Sequence, residues 1–199
     1  MGITISGSGI TSANIADGTI VNADINSSAA IDGSKLTGVA SVNQAQVQTH
    51  LITSSSQAIT AGTITNITGL NATITPATTS KRIKVTVRWS GEWGNLNQYD
   101  TMYGIRRGTT VVGSPAAAGS RPVGIATAYI GYHQDAGSTP DSTFYSYIDS
   151  PATTSATTYY ATFKHSSIST TLYNQRTVLD IDAADYERLT SSITLEEID

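Results

Sequence analysis

The sequence predicts an all-β protein: a jelly-roll β-sandwich preceded by an extended segment that carries a repeat. Three observations lead there. From about residue 57, apolar and polar residues alternate in short runs bounded by turn residues, the signature of half-buried strands. Composition agrees, with 31 threonines, 24 serines and 17 glycines, only 13% charged residues, and few Leu, Lys or Glu to favour helices. Ahead of that region isoleucine recurs at Ile5, Ile10, Ile15, Ile20 and Ile25, slips by one residue to Ile31, and resumes its step at Leu36.

The opening thread sets the organisation. A helix turns about every 3.6 residues and a strand alternates about every 2, so neither keeps a step of five on one face. The row needs a chain that bends or twists once per repeat. Between its anchors lie almost only Gly, Ser, Thr, Ala, Asn and Asp. Burying one Ile contributes roughly 1.5–3 kcal/mol, while ordering each backbone residue costs roughly 1–2 kcal/mol. A lone thread loses that exchange. Sister copies around a shared axis, or the surface of another protein, supply the missing contacts. Residues 1–50 are therefore expected as an attachment and shaft segment, and residues 51–199 as the sandwich. Ile15-Ala-Asp-Gly-Thr-Ile20 is echoed by Ile31-Asp-Gly-Ser-Lys-Leu36, each with an Asp-Gly suited to a tight turn. Val39 to Leu51 fits a short helix or more extended thread, and Ser54–Ser56 a hinge.

Within the sandwich, Leu70, Ala72 and Ile74 alternate with polar residues until Pro76. Lys81–Trp89 concentrates basic residues, yet Ile83, Val85, Val87 and Trp89 take one face while Arg82, Lys84, Thr86 and Arg88 take the other. That is a strand with a solvated outer face, not a nucleic-acid patch. Further strands are expected at 102–107, 110–113, 123–132, 143–149, 157–164, 176–182 and 191–198. Turn chemistry sits at Arg107-Gly108-Thr109 and Gly137-Ser138, and Ala183–Leu189 offers one helical turn. Eight or more short strands with turns between them fit a jelly roll.

Net charge is −4 with seven of the fifteen acids between Asp180 and Asp199, so nothing draws the chain to nucleic acid. No cysteine occurs, which excludes disulfides and thiolate catalysis. No apolar run reaches membrane-spanning length, and Met1-Gly2 leads into polar residues without the basic start of a secretory signal.

Reactive constellations are scarce. His50, His133 and His165 are scattered and expected at the surface. No Gly-x-Ser-x-Gly or phosphate-cradling glycine motif is present. Asp180, Asp182, Asp185 and Glu187 offer oxygens to a hard cation but lack the glycine and register of a calcium loop, and Ile181 between them is expected to point inward on a strand. No catalytic residue, cofactor or metal is expected. Asn26, Asn66 and Asn71 lie in Asn-x-Ser/Thr sequons, which carry no argument without a secretory signal.

The aromatics say more. Ten Tyr and two Trp against two Phe place polar tips on most large rings, a composition suited to interfaces and carbohydrate. Trp93, Asn95, Asn97, Tyr99 and Asp100 share the longest loop and are the candidate receptor-binding set. Tyr145, Tyr147, Tyr159 and Tyr160 are the candidate contacts between subunits.

The thread Ile10-Thr-Ser-Ala-Asn-Ile-Ala-Asp-Gly-Thr-Ile20 and its continuation to Ile31 resemble segments of bacteriophage fibre proteins. The strands Lys81–Trp89 and Ser192–Ile198, with the segments Ile105–Thr109 and Tyr147–Tyr159, resemble the trimeric knobs of the same proteins, similar in turn to tumour-necrosis-factor and C1q heads. The resemblance spans nearly the whole chain through patterns, not catalytic signatures. It implies a homotrimeric virion appendage without enzymatic activity, exposed on a particle assembled in the bacterial cytoplasm. Its thread would dock on a tail, adaptor or capsid protein, with the knob facing a host glycan and no membrane insertion. A head fibre, capsid decoration or cement protein is the alternative. A glycan depolymerase using Asp100, Asp135 or Asp141 is a further one.

Overall fold

The computed structural model describes residues 46–94, 100–117, 119–127 and 137–199. The isoleucine row and Leu36 lie outside them. Among the described residues ten strands follow in order: β1 (Gln46–Leu51), β2 (Ser55–Ile59), β3 (Thr65–Ile74), β4 (Arg82–Trp93), β5 (Thr101–Arg107), β6 (Thr110–Val112), β7 (Asp141–Asp149), β8 (Thr157–His165), β9 (Thr170–Asn174) and β10 (Ser191–Ile198). They form a β-sandwich of two antiparallel sheets. One has the order β1-β10-β4-β9-β2 with β7 also on β4; the other runs β3-β8-β5-β6.

β4 is the spine. Its alternation is the expected one, with Ile83, Val85, Val87 and Trp89 buried. Twelve residues give it length for three partners: β10 along Arg82–Arg88, β7 along Ile83–Gly91, and β9 along Gly91–Trp93. The pairings nest like a folded hairpin, since β1 meets β10, β3 meets β8, β4 meets β7 and β5 meets β6.

Between the sheets an aromatic stack joins Trp89 to Tyr103 at 5.2 Å and Tyr103 edge-on to Phe163 at 5.1 Å. Trp93 lies 6.1 Å from both Trp89 and Phe163, and Tyr145 lies 6.2 Å from Tyr103. Such contacts add about 0.5–1.5 kcal/mol per pair beyond the area they bury. Trp89 Nε1 donates to Asn174 Oδ1 at 2.8 Å, so its one polar atom is satisfied inside.

Several expectations need correction. Residues 46–50, expected at the end of the shaft, form most of β1 and pair with β10, so the sandwich begins at Gln46 and not at 51. The expected hinge at Ser54–Ser56 is the start of β2, paired with β9. The strand expected at 123–132 is, within 123–127, a single bridge from Ala126 to Tyr103. No strand forms at 176–182; β9 precedes that stretch at Thr170–Asn174. After β9 the backbone takes positive φ at Gln175 and Asp180, and Asp180 is gripped by Arg176 and Arg188, both at 2.6 Å, which folds the segment into a loop. Ile181, expected inward, is exposed there. Residues 183–189 form no helix, only a turn closed by Tyr186 N donating to Ala183 O.

Candidate functional site

The registers define two ends. Gln46, Arg82, Asp149 and Ile198 lie together at one, and Leu51, Gly91, Asp141 and Ser191 lie toward the other. The chain enters the sandwich at the first end. At the opposite end lie Trp93, Thr101, the turn after His165, and the 175–190 loop.

That far end is tied down by side chains. Asp100 has φ 63°, and its carbonyl accepts from Ser166 N and Ser166 Oγ, each at 3.0 Å. Its carboxylate accepts from Ser167 Oγ at 3.1 Å. His165 Nδ1 accepts from Ser167 N at 3.4 Å and Ile168 N at 3.3 Å, which caps the turn. His165 is thus a buried structural residue and not the surface histidine expected, because the turn brings two backbone N–H groups onto its ring. His50 is exposed, and His133 lies outside the described residues.

Glu92 is the second tie. Its buried carboxylate accepts from Val178 N at 2.7 Å and Thr139 Oγ1 at 3.3 Å. Burial pushes this carboxyl above its ordinary range, and hydrogen bonds from Val178, Thr139 and Gly137 pull it partly back. Asp141, half-buried two residues after Thr139, is raised for the same first reason, opposed by the bond from Ser142 N. These contacts hold loop segments from distant parts of the sequence against β4.

The receptor-binding set is only partly as expected. Asp100 is exposed at the far end. Trp93 is not in a loop: it is the last residue of β4 and only 4% exposed, because the strand continues through Gly91 and turns the ring onto Phe163. Asn95, Asn97 and Tyr99 lie outside the described residues. Of the proposed subunit contacts, Tyr145 and Tyr159 are spent inside the protomer. Tyr145 donates to the Gly104 carbonyl at 3.1 Å, and Tyr159 donates to Asp149 at 2.8 Å. Tyr147 packs against the core, and Tyr160 is half-buried on the outward face of the four-stranded sheet.

Sequence reasoning passed over Glu92, Asp149 and Arg107. Asp149 Oδ2 takes Arg107 Nη1 at 2.7 Å as well as the Tyr159 hydroxyl, closing the near end as Glu92 closes the far one. Only the lone carboxylate ending the run Thr143–Asp149 hints at this. In the 175–190 loop Asp182, Asp185 and Glu187 are exposed beside exposed Leu179 and Ile181. Among the described residues no three His, Cys, Asp or Glu side chains converge on a metal position. The far end therefore offers fixed loops bearing carboxylates, hydroxyls and apolar tips, an arrangement that can bind by contact. No protein-family model matches the chain, and no curated protein matches it.

Proposed function

We propose that the chain is a non-enzymatic structural protein of a bacteriophage particle: a short homotrimeric fibre with a jelly-roll knob, attached through its N-terminal thread and facing the host. One observation carries this reading. The strands pair in a nested series, β1 with β10, β2 with β9, β3 with β8, β4 with β7 and β5 with β6, and the chain enters this nest at the end opposite the fixed loops. Two Greek keys wound this way make a jelly roll. Entry and loops at opposite ends suit a spike whose base is held and whose tip makes contact.

The thread supports the trimer, since isoleucines every five residues need companions. Three equal tips on one base turn weak contacts into avidity through effective concentration. The tip's exposed Asp100, Ser167 and Leu179 suit a polar, partly apolar ligand such as a cell-surface glycan.

Electron microscopy of intact particles labelled with antibody to residues 46–199 tests the reading. Label at the tail is the expected outcome. Label over the head would make the protein a head fibre or cement, and unlabelled particles would sink the virion assignment. Polysaccharide incubated with the protein is expected to keep its viscosity; a loss abolished by Asp100→Asn or Asp141→Asn would establish a depolymerase instead.

A further inference from the structure

The acids of this chain avoid one sheet. Residues 33–91, 101–134 and 150–179 contain no Asp or Glu, and all four strands of the sheet β3-β8-β5-β6 fall within those stretches. The chain carries a net charge of −4, yet the charged side chains on this sheet's outward face, Arg106 and Lys164, are both basic. Neighbouring Arg107 turns inward to Asp149, and Lys84, Arg176 and Arg188 also meet carboxylates. Among the described residues Arg106 and Lys164 meet none. Arg106 Nη1 reaches Asn66 Oδ1 at 3.4 Å, and its Nε is buried with no partner. A guanidinium held by one long bond is open to a stronger, anionic acceptor.

The registers place these cations across a trough. Asn71, Tyr160, Arg106 and Val111 form one row over the sheet. Asn66, Thr162 and Gly104 form the next, and Lys164 and Met102 the one after. The middle row is low at its centre, since Gly104 has no side chain and Thr162 is 3% exposed. Its banks lie four residues apart along β5, about 13 Å. Ser114, Val123 and Gly124 line the resulting depression on the β5 side and Ile64 on the β3 side, around about 220 Å³. Arg106 stands on one bank and Lys164 on the other. The half-buried Tyr160 ring lies beside Arg106, with the amides of Asn66 and Asn71 toward β3.

We propose that this trough binds an acidic polysaccharide, whose carboxylate or phosphate groups meet Arg106 and Lys164 while a sugar ring lies between them against Tyr160. Charge complementarity chooses the anion, and a tyrosine ring flanked by amides suits a sugar. Nucleic acid fits less well: each strand carries a negative charge about every 3.4 Å, and two cations on separate banks do not match that density. The site goes beyond the virion reading and rests neither on it nor on the far-end loops.

Calorimetric titration of the full-length chain tests the site. Polygalacturonate supplies carboxylates and phosphomannan supplies phosphates; at least one is expected to bind, and neutral dextran is not. Arg106→Gln and Lys164→Gln are each expected to weaken binding about tenfold at an unchanged melting temperature, the loss of one charge-assisted bond. Tyr160→Ala is expected to weaken it as well. Arg88→Gln, which removes an exposed cation from the other sheet, is expected to leave it unchanged. Failure of both acidic probes, or equal binding of dextran, would overturn the proposal. So would an Arg88→Gln loss equal to that of Arg106→Gln, which would reduce the affinity to overall charge. Tighter binding of single-stranded DNA, sensitive to Arg106→Gln and Lys164→Gln, would make the trough a nucleic-acid site instead.

Discussion

Asp149 shows how much a single carboxylate oxygen holds in this fold. Arg107 and Tyr159 both donate to it at the near end, one from β5 and one from β8, while Asp149 itself ends β7. Burial, then the bond to Asp149, raises the Tyr159 hydroxyl well above its usual range, so it remains a donor throughout ordinary pH. Tyr159→Phe removes one bond and is expected to cost about 1 kcal/mol in denaturant titration. Asp149→Ala strands a buried hydroxyl and a partly buried guanidinium, and is expected to cost more, about 2–3 kcal/mol. Equal losses would mean that Arg107 draws nothing from the pair. Glu92 gives a prediction in pH. Its folded carboxyl binds the proton more tightly than the ordinary value of 4.5 allows. Stability is therefore gained as pH falls through the folded value, and the gain is complete below the unfolded one. The melting temperature of the native protein relative to Glu92→Gln is expected to rise on acidification from neutral pH toward 4.5. A difference that stays flat or shrinks would show that desolvation does not dominate at this carboxyl.

At the scale of elements, the junction of β4 with β9 explains a glycine that no turn requires. Gly91 pairs with Asp141 on one side and Asn174 on the other, and a Cβ there would stand 2.1 Å from the Tyr173 carbonyl oxygen. Overpacking of a filled site costs about 1–3 kcal/mol. Gly91→Ala is expected to fall in that range and to release β9 together with β2, which is paired with β9. Hydrogen exchange should then quicken at Ser55–Ile59 and Thr170–Asn174 while β10 stays protected; uniform quickening would deny that β9 and β2 form a separate unit. The elements themselves were unequally legible in the sequence. β4 was readable through Trp89 because its two faces differ sharply, Ile and Val against Lys and Arg. Its last four residues were not, since Ser90, Gly91 and Glu92 look like a loop until loop segments are seen to cover them. β7 has apolar residues on both faces, Tyr145 and Tyr147 on one and Phe144 and Ile148 on the other. Alternation could not say which face is inside, so the buried Tyr145 was expected at a surface. β9 was hidden because Thr170 and Thr171 carry no apolar alternation, while Leu179 and Ile181 imitate one in a loop. Of the candidate site, Asp100 was legible as an exposed loop carboxylate, and the buried role of Trp93 was not.

For the whole molecule, the decisive point is that the described sandwich is tied by contacts among its own residues. Every residue of the buried hydrophobic cluster lies between Ile59 and Leu195, and the earliest residues packed against it are Val47 and Leu51. The ties at both ends, Glu92 and Asp149, are likewise made within residues 77–199. Burial of apolar surface is the main favourable term in folding, so a chain lacking residues 1–38 keeps all that the described sandwich uses. It is expected to melt where the full-length chain melts and, on the proposed trimer reading, to remain a trimer in sedimentation. What it should lose is its place on the particle: added to virions grown without the protein, the full-length chain is expected to bind and the shortened one to stay in solution. Binding of the shortened chain would move the attachment site into the sandwich. A large drop in melting temperature would instead show that the isoleucine row packs back on its own knob, the one arrangement in which a single copy could shelter it.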